Sequence, residues 1–476
     1  MRRTKIISTI GPASMDWEII RAMYDAGMNA VRINMSHASY DDAERAIQWI
    51  KTLNRKVKYA VPVIVDTSGP EVRIGHLEKP LELRNGQHVA LTSRVNPEMI
   101  DGLTSIHVGY PEFEEAMAVG DYVRIDNGLI NLRVLDKGAC GLRCRVLDGG
   151  TLGSKKHVNL PGVHINMPSI TSKDVQDIEF VKEQEVSFIA QSFVRTADDI
   201  REMRELLGHR YRWVRVIAKI ENFEGVDQAE EISNVADGLM IARGDLGIET
   251  DMAALPTLQR RLVETTLKKG RRCVVATHLL ESMVEKPIPT RAEVVDVANA
   301  IYQGVDAVML SAETSVGKYP VGAVEVLRRI AEEQEKLPSE TITVAKDTQN
   351  QRQLMAWSAA ELAERINAKG IVVITRSGHA ADMVTNTAPS NIPVFAFSNR
   401  SHTRRQLMLN RSVYAHRISF SRQPEVTIKR AFTVLREREG LPDDASVIVM
   451  SSLSDASPID SITIRQVGDL LEPGAL

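Results

Sequence analysis

Two short runs carry residue types suited to phosphate and metal chemistry: Lys219-Ile220-Glu221 and Arg243-Gly244-Asp245. In each, a cation precedes a carboxylate by two positions. Side chains two apart on a strand share a face, so Lys219 and Glu221 point the same way. Arg243 and Asp245 do so too if their strand extends that far. Magnesium takes one or two carboxylates and leaves its other positions to water or substrate oxygens. Glu221 and Asp245 on neighbouring strands suit that demand. Lys219 beside them could offset charge on a phosphoryl group in transfer. The competing reading makes the two carboxylates structural ion-pair partners of Lys219 and Arg243. Gly244 and Gly247 flank Asp245 and let backbone N–H groups approach an anion, or else form a plain turn.

Other polar residues sit in similar places. Arg32, Asn34 and Ser36 share one strand face by the same alternation. Thr277 ends the apolar run 273–276 beside His278; alone, it reads as a helix N-cap, and His278 as a structural histidine or a base. Thr375-Arg376-Ser377-Gly378 precedes a helical stretch, so its hydroxyls and the free helix N–H groups either hold an anion or cap the helix.

The elements that must position these residues form a repeat. Apolar, β-branched runs occur at 5–10, 30–34, 61–66, 186–192, 214–221, 238–243, 272–277 and 307–311. Amphipathic helical stretches such as 16–26, 40–53, 172–184 and 252–269 lie between them. This alternation predicts parallel βαβ units, and eight of them predict a closed β/α barrel, with an open doubly wound sheet as the alternative. Each run ends in polar or glycine-rich residues, and a barrel gathers its strand ends at one rim. The alternation breaks at 71–166. There, short alternating runs and the pairs Asn85-Gly86, Asn127-Gly128 and Gly149-Gly150 predict hairpins of an inserted β domain. A polar linker at 338–351 leads to a third, α/β domain.

Composition sets outer limits. The 476 residues suggest two to four domains, with 43 % hydrophobic and 25 % charged side chains, as in soluble globular proteins. The formal net charge of −3 gives no global field for nucleic acid. No apolar run reaches the roughly 18 residues of a membrane span. The basic start lacks a long apolar core and reads as a strand, not a signal peptide. Cys140, Cys144 and Cys273 give no disulfide framework and read as packing thiols in a reducing cytoplasm.

In order along the chain, TKIISTIGPAS (4–14), RINMSH (32–37), DTSGPEVR (66–73), NLPG (159–162), KIENFEG (219–225), IARGDLGIE (241–249), ATHLLESM (276–283), PTRAEVVDVANA (289–300) and MLSAET (309–314) resemble the pyruvate kinase family. The resemblance is dense over 1–335 and loose beyond. It implies an α/β architecture: an eight-stranded parallel β/α (TIM) barrel at 1–70 and 167–337, an inserted small β-barrel lid at 71–166, and a C-terminal α/β regulatory domain at 338–476. It implies transfer of the phosphoryl group of phosphoenolpyruvate to ADP, giving pyruvate and ATP in glycolysis, by a cytoplasmic homotetramer. A non-catalytic metabolite-binding protein on the same scaffold, or another phosphoenolpyruvate enzyme on a barrel, are the alternatives.

At matching positions the resemblance implies that Lys219, Thr277 and Arg32 are catalytic. Arg32, Lys219, Gly244, Asp245 and Thr277 would bind phosphoenolpyruvate. Asn34, His37, Arg73 and Lys156 would bind the nucleotide. Glu221 and Asp245 would hold Mg2+ or Mn2+, and Asn34, Ser36, Asp66 and Thr67 would hold K+; Glu71 matches a Glu of potassium-dependent members. Thr375, Ser377 and Gly378 would bind a sugar-phosphate or nucleotide effector, although His379, Ala380 and a glycine-poor 451–462 depart from that pattern. Ser68 stands where Lys is usual, His157 where Gly is, and His278 where Gln is. The His278 change predicts an activity that titrates near neutral pH.

Overall fold

The computed structural model describes residues 1–95, 99–100, 102–138, 141–337, 340, 342–343, 350–389, 391–451 and 461–469. Strands β1 (Lys5–Ile10), β2 (Ala30–Asn34), β3 (Val63–Asp66), β4 (Phe188–Gln191), β5 (Arg215–Ile220), β6 (Gly238–Ala242), β7 (Arg272–Ala276) and β8 (Ala307–Leu310) form a closed, all-parallel barrel. Closure joins the two ends of the series: Ser8 registers with Leu310 on one side of β1, and Thr9 with Arg32 on the other. The open-sheet alternative is thereby excluded.

The β-branched runs suit this geometry because barrel strands are buried on both faces. Successive residues divide between two cores. Ile7, Ile64, Phe188, Ile217, Met240, Val274 and Met309 cluster together, with Leu409 from the C-terminal unit added to them. Their neighbours, such as Ile6, Val63, Val65, Val216 and Val275, belong to the larger cluster shared with the helices. Each fully buried Val, Ile or Leu side chain contributes about 1.5–3 kcal/mol. Local signals set the helix limits. Asp16 accepts the N–H groups of Glu18 and Ile19 to start Trp17–Ala26, and Gly27, at φ 121°, ends it.

Between β3 and β4 the chain builds a separate β core, in which Val89, Leu91, Val123, Ile125, Leu132 and Val146 meet. Asn127-Gly128 turns Tyr122–Ile125 into Ile130–Gly138, with Asp126, Asn127 and Gly128 all at positive φ. Beyond the barrel, Ile371–Ile374, Val394–Ser398, Val413–Arg417 and Ser446–Ser451 pair in parallel, and Ser461–Gln466 adds an antiparallel edge. The strands Val413–Arg417 and Ser461–Gln466 are not among the sequence expectations. Cys144 and Cys273 are buried free thiols, in keeping with packing roles. Cys140, most of the expected linker 338–351 and most of the 451–462 stretch lie outside the described residues.

Candidate active site at the barrel rim

The C-terminal ends of β2 to β5 bring four charged groups together. Asn34 and Asp66 are register partners at the ends of β2 and β3. Asp66 is fully buried and is engaged through both oxygens. Arg32 Nε donates to Oδ2 at 2.6 Å, and Lys219 Nζ lies 3.2 Å from Oδ1. Lys219 also lies 2.9 Å from Glu221 Oε1 and donates to Ser192 Oγ at 2.7 Å. The shared direction expected of Lys219 and Glu221 is therefore present. Burial works against the Lys219 ammonium, but Asp66 and Glu221 outweigh it and hold its pKa above the ordinary value. Burial likewise opposes the Asp66 carboxylate, and Arg32 and Lys219 reverse that and keep it below the ordinary value.

Glu221 behaves differently. Phe193 N–H donates to its Oε2 at 2.7 Å. Burial and, after the opposing pull of Lys219, the negative charge of Asp245 push its carboxyl up to about 7. Asp245 is half-buried in the first turn of the helix Arg243–Glu249. Its charge also acts on Lys219 and on His157.

The condition set for Arg243 and Asp245 is not met. The strand stops at Ala242, so Arg243 and Asp245 lie on a helix and do not share a strand face. Arg243 does not pair with Asp245. Its guanidinium binds Asp296 at 2.7 Å and donates to the carbonyls of Thr277, at 2.7 Å, and His278, at 3.1 Å. Those two residues have φ of 66° and 52°. A β-branched threonine in the left-handed region is strained, so Arg243 clamps a turn that would otherwise relax. Nor does Thr277 cap a helix. Its Oγ1 accepts the Gly244 N–H at 2.7 Å and donates to the Ala276 carbonyl at 2.6 Å, which ties the ends of β6 and β7 together.

Other candidates stand further out. Asn34 Oδ1 accepts the Ser36 N–H at 3.2 Å, and His37 is exposed. Thr67 Oγ1 accepts the Ser192 N–H at 3.2 Å. Arg73 and Lys156 belong to the inserted unit, where Arg73 pairs with Glu71 and Lys156 with Asp126 at 2.8 Å. That unit touches the rim directly: Asn159 Nδ2 donates to Glu249 at 2.7 Å, and the His157 ring meets Phe193 edge-on at 6.0 Å. The 375–378 segment belongs to the C-terminal unit. Its hydrogen bonds are local, Gly378 N–H to Thr375 Oγ1 at 3.0 Å and His379 N–H to Ser377 Oγ at 3.5 Å, and the helix His379–Thr385 has Gly378 at its N-cap with no side-chain cap.

Family models match nearly the whole chain: the pyruvate kinase barrel domain over residues 1–324 and the pyruvate kinase alpha/beta domain over residues 353–463. The chain belongs to the pyruvate kinase family. The pyruvate kinase of Bacillus licheniformis is 37 % identical over 486 aligned residues, covering 100 % of this chain and 82 % of that one. That of Dictyostelium discoideum is 33 % identical, covering 99 % and 95 %. That of Geobacillus stearothermophilus is 37 % identical, covering 99 % and 82 %. As a pyruvate kinase, the chain is a phosphotransferase of glycolysis, and nothing favours the non-catalytic alternative. Among the described residues, no helix is long and apolar enough to cross a membrane.

Set in a pyruvate kinase, the three unusual residues fall around the rim. The backbone N–H groups of Ser68 and Gly69 both donate to Asp174 at 3.1 Å, and Ser68 Oγ is buried without a hydrogen-bond partner. His157 faces Phe193, and His278 occupies the strained turn held by Arg243. Ser192, Phe193 and the Arg243 clamp on Asp296 are absent from the sequence-derived site. The polar run at the end of β4 was the available signal for the first two. Asp296 is a helix residue 53 positions from its partner, and no local pattern marks it.

Proposed function

We propose that phosphoenolpyruvate binds at Arg32, Lys219, Gly244, Asp245 and Thr277, and that its phosphoryl group passes there to ADP. The observation that carries this reading is Lys219: a buried cation between two acids, at the end of a barrel strand, with its ammonium fixed before any substrate arrives. A preorganised charge of this kind stabilises a transferring phosphoryl group without reorganisation cost. Arg32 orients the phosphate. Thr277 faces the carbon end, where the enolate left by transfer takes a proton from water.

Glu221 and Asp245 fit a divalent ion. Burial and, after the opposing pull of Lys219, the charge of Asp245 raise Glu221, and a dication between the two carboxylates would offset both effects. Mg2+ or Mn2+ held there would supply electrostatic stabilisation of the phosphoryl oxygens. Asn34, Ser36, Asp66 and Thr67 offer an all-oxygen donor set at adjoining strand ends, which suits K+. Arg73 and Lys156, with Asn34 and His37, would hold the nucleotide phosphates between rim and insert.

The three units we assign are the barrel at 1–70 and 167–337, the lid at 71–166 and the regulatory domain at 338–476. The lid excludes water, which protects phosphoenolpyruvate from hydrolysis. A phosphorylated effector at Thr375, Ser377 and Gly378, a homotetramer and a cytoplasmic location complete the proposal. The test is pyruvate formed from phosphoenolpyruvate with and without ADP. The reading expects ADP-dependent formation that needs both a divalent ion and K+. Formation independent of ADP would sink it.

A further inference from the structure

A cavity of about 760 Å³ opens between the barrel and the C-terminal unit, away from the rim. Among the described residues that line it, eight are Lys or Arg and Glu185 is the one acid. Such a concentration is out of keeping with a chain whose net charge is −3. Local pairing accounts for only part of it. Lys58 meets Glu439 at 2.9 Å, and Arg405 meets Glu185 at 3.0 Å. Arg404 donates to the Lys58 carbonyl at 3.1 Å, while the Nε atoms of Arg404 and Arg405 are buried without a hydrogen-bond partner. Arg438, Arg405 and Arg417 each add to burial in depressing the pKa of Arg404. A cluster of this kind is costly when empty and is relieved by an anion.

We propose that this cavity binds a small metabolite carrying at least two phosphate groups, at a site distinct from the 375–378 loop. Its volume lies within the roughly 300–1,000 Å³ of small-molecule sites, which favours a metabolite over an extended polymer. Guanidinium groups recognise phosphate through paired N–H donors. Arg417 and Arg438 enter from the C-terminal unit, and Arg55 and Lys58 from the barrel, so a bound polyanion bridges the two. The floor includes Val63, the first residue of β3, and the same four-residue strand ends at Asp66, which holds Arg32 and Lys219. Occupancy therefore bears on the rim through one short, rigid element. The binding claim itself does not depend on the catalytic assignment.

Calorimetric titration of the full chain with inorganic pyrophosphate tests the site. Arg417→Ala combined with Arg438→Ala changes two exposed side chains, so the fold should survive, and an unchanged melting temperature verifies it. The expected result is saturable binding that weakens at least tenfold in the double variant, declines steeply with salt and is unaffected by Ser377→Asp. Parallel titrations with a hexose bisphosphate and a nucleoside diphosphate identify the scaffold that carries the phosphates. Absence of saturable binding by any of the three, or equal affinities in the wild type and the double variant, would overturn the proposal.

Discussion

Lys219 and Glu221, two residues apart where β5 ends, are joined by a 2.9 Å ion pair. Lys219 has a second acid in Asp66, so its charge remains anchored even when Glu221 is drawn toward another cation. Glu221, raised by burial and by Asp245, is the group that gains most from such a cation.

Lys219→Met should lower kcat by at least about 10²-fold, the scale of losing one preorganised charge at a transition state. It also strands Glu221 without its cation in a buried setting, while Asp66 keeps Arg32, so unfolding should become easier by about 3–5 kcal/mol. Steady-state kinetics and a denaturant titration measure the two effects separately. A folded variant with near wild-type kcat would remove Lys219 from the chemistry.

Arg243→Lys keeps the charge but cannot hold Asp296 and two carbonyls at once. The strained turn at Thr277 and His278 should then relax. Losing charge-assisted hydrogen bonds worth about 1.5–3 kcal/mol predicts a fall in kcat/KM of roughly 10- to 100-fold. Full activity in the variant would mean that the turn holds its shape without the clamp.

Gly69 sits at φ 67°, and a Cβ there would lie 2.8 Å from the Phe193 ring and 2.9 Å from Ser192 Cβ. Gly86 has φ 83° but no atom within 4 Å. Gly69→Ala should therefore lower the melting temperature more than Gly86→Ala does, because it adds a clash to the conformational strain of about 1–3 kcal/mol. Equal losses would show that backbone conformation alone decides both.

Lys5 is buried, donates to the Val413 carbonyl at 2.6 Å and lies over the Tyr414 ring. Burial, reinforced by Arg2, lowers its pKa from 10.5 to about 7. Below pH 7 the folded and unfolded chains both carry the proton, and the cost of the buried cation is felt in full. Between pH 7 and 10.5 only the unfolded chain keeps it, so this contribution to stability rises with pH. Lys5→Met should raise the melting temperature at pH 6 and raise it less at pH 9. A pH-independent difference between the two proteins would contradict this.

The barrel was legible in the sequence because its signal is local and repeated. Eight β-branched runs, each ending in polar residues, alternate with helical stretches, except where the inserted β unit separates the third run from the fourth. Lys219 and Glu221 were legible through strand alternation. For Arg243 and Asp245 the sequence leaves the strand's end open, because nothing in Gly238–Ala242 marks its last residue, and alternation stops applying one position later. The contact of Lys219 with Ser192 and that of Arg243 with Asp296 depend on which strands and helices become neighbours. Those are tertiary facts with no one-dimensional trace. The basic cavity was hidden for the same reason: its cations come from segments as distant as Lys51 and Arg438.

The register of Lys5 with Ala307 also governs how the molecule is made. During translation, at about 5–20 residues per second, the opening strand emerges roughly 15–60 s before its final partner. The intervening β unit has a self-contained core and can condense early, since its contacts close within one segment. The barrel cannot close until Ala307–Leu310 has left the ribosome. For that interval the first strand has a bare hydrogen-bonding edge, a template for illicit pairing. Crowded expression and slow codons downstream of the insert are thus the conditions under which aggregation would begin there.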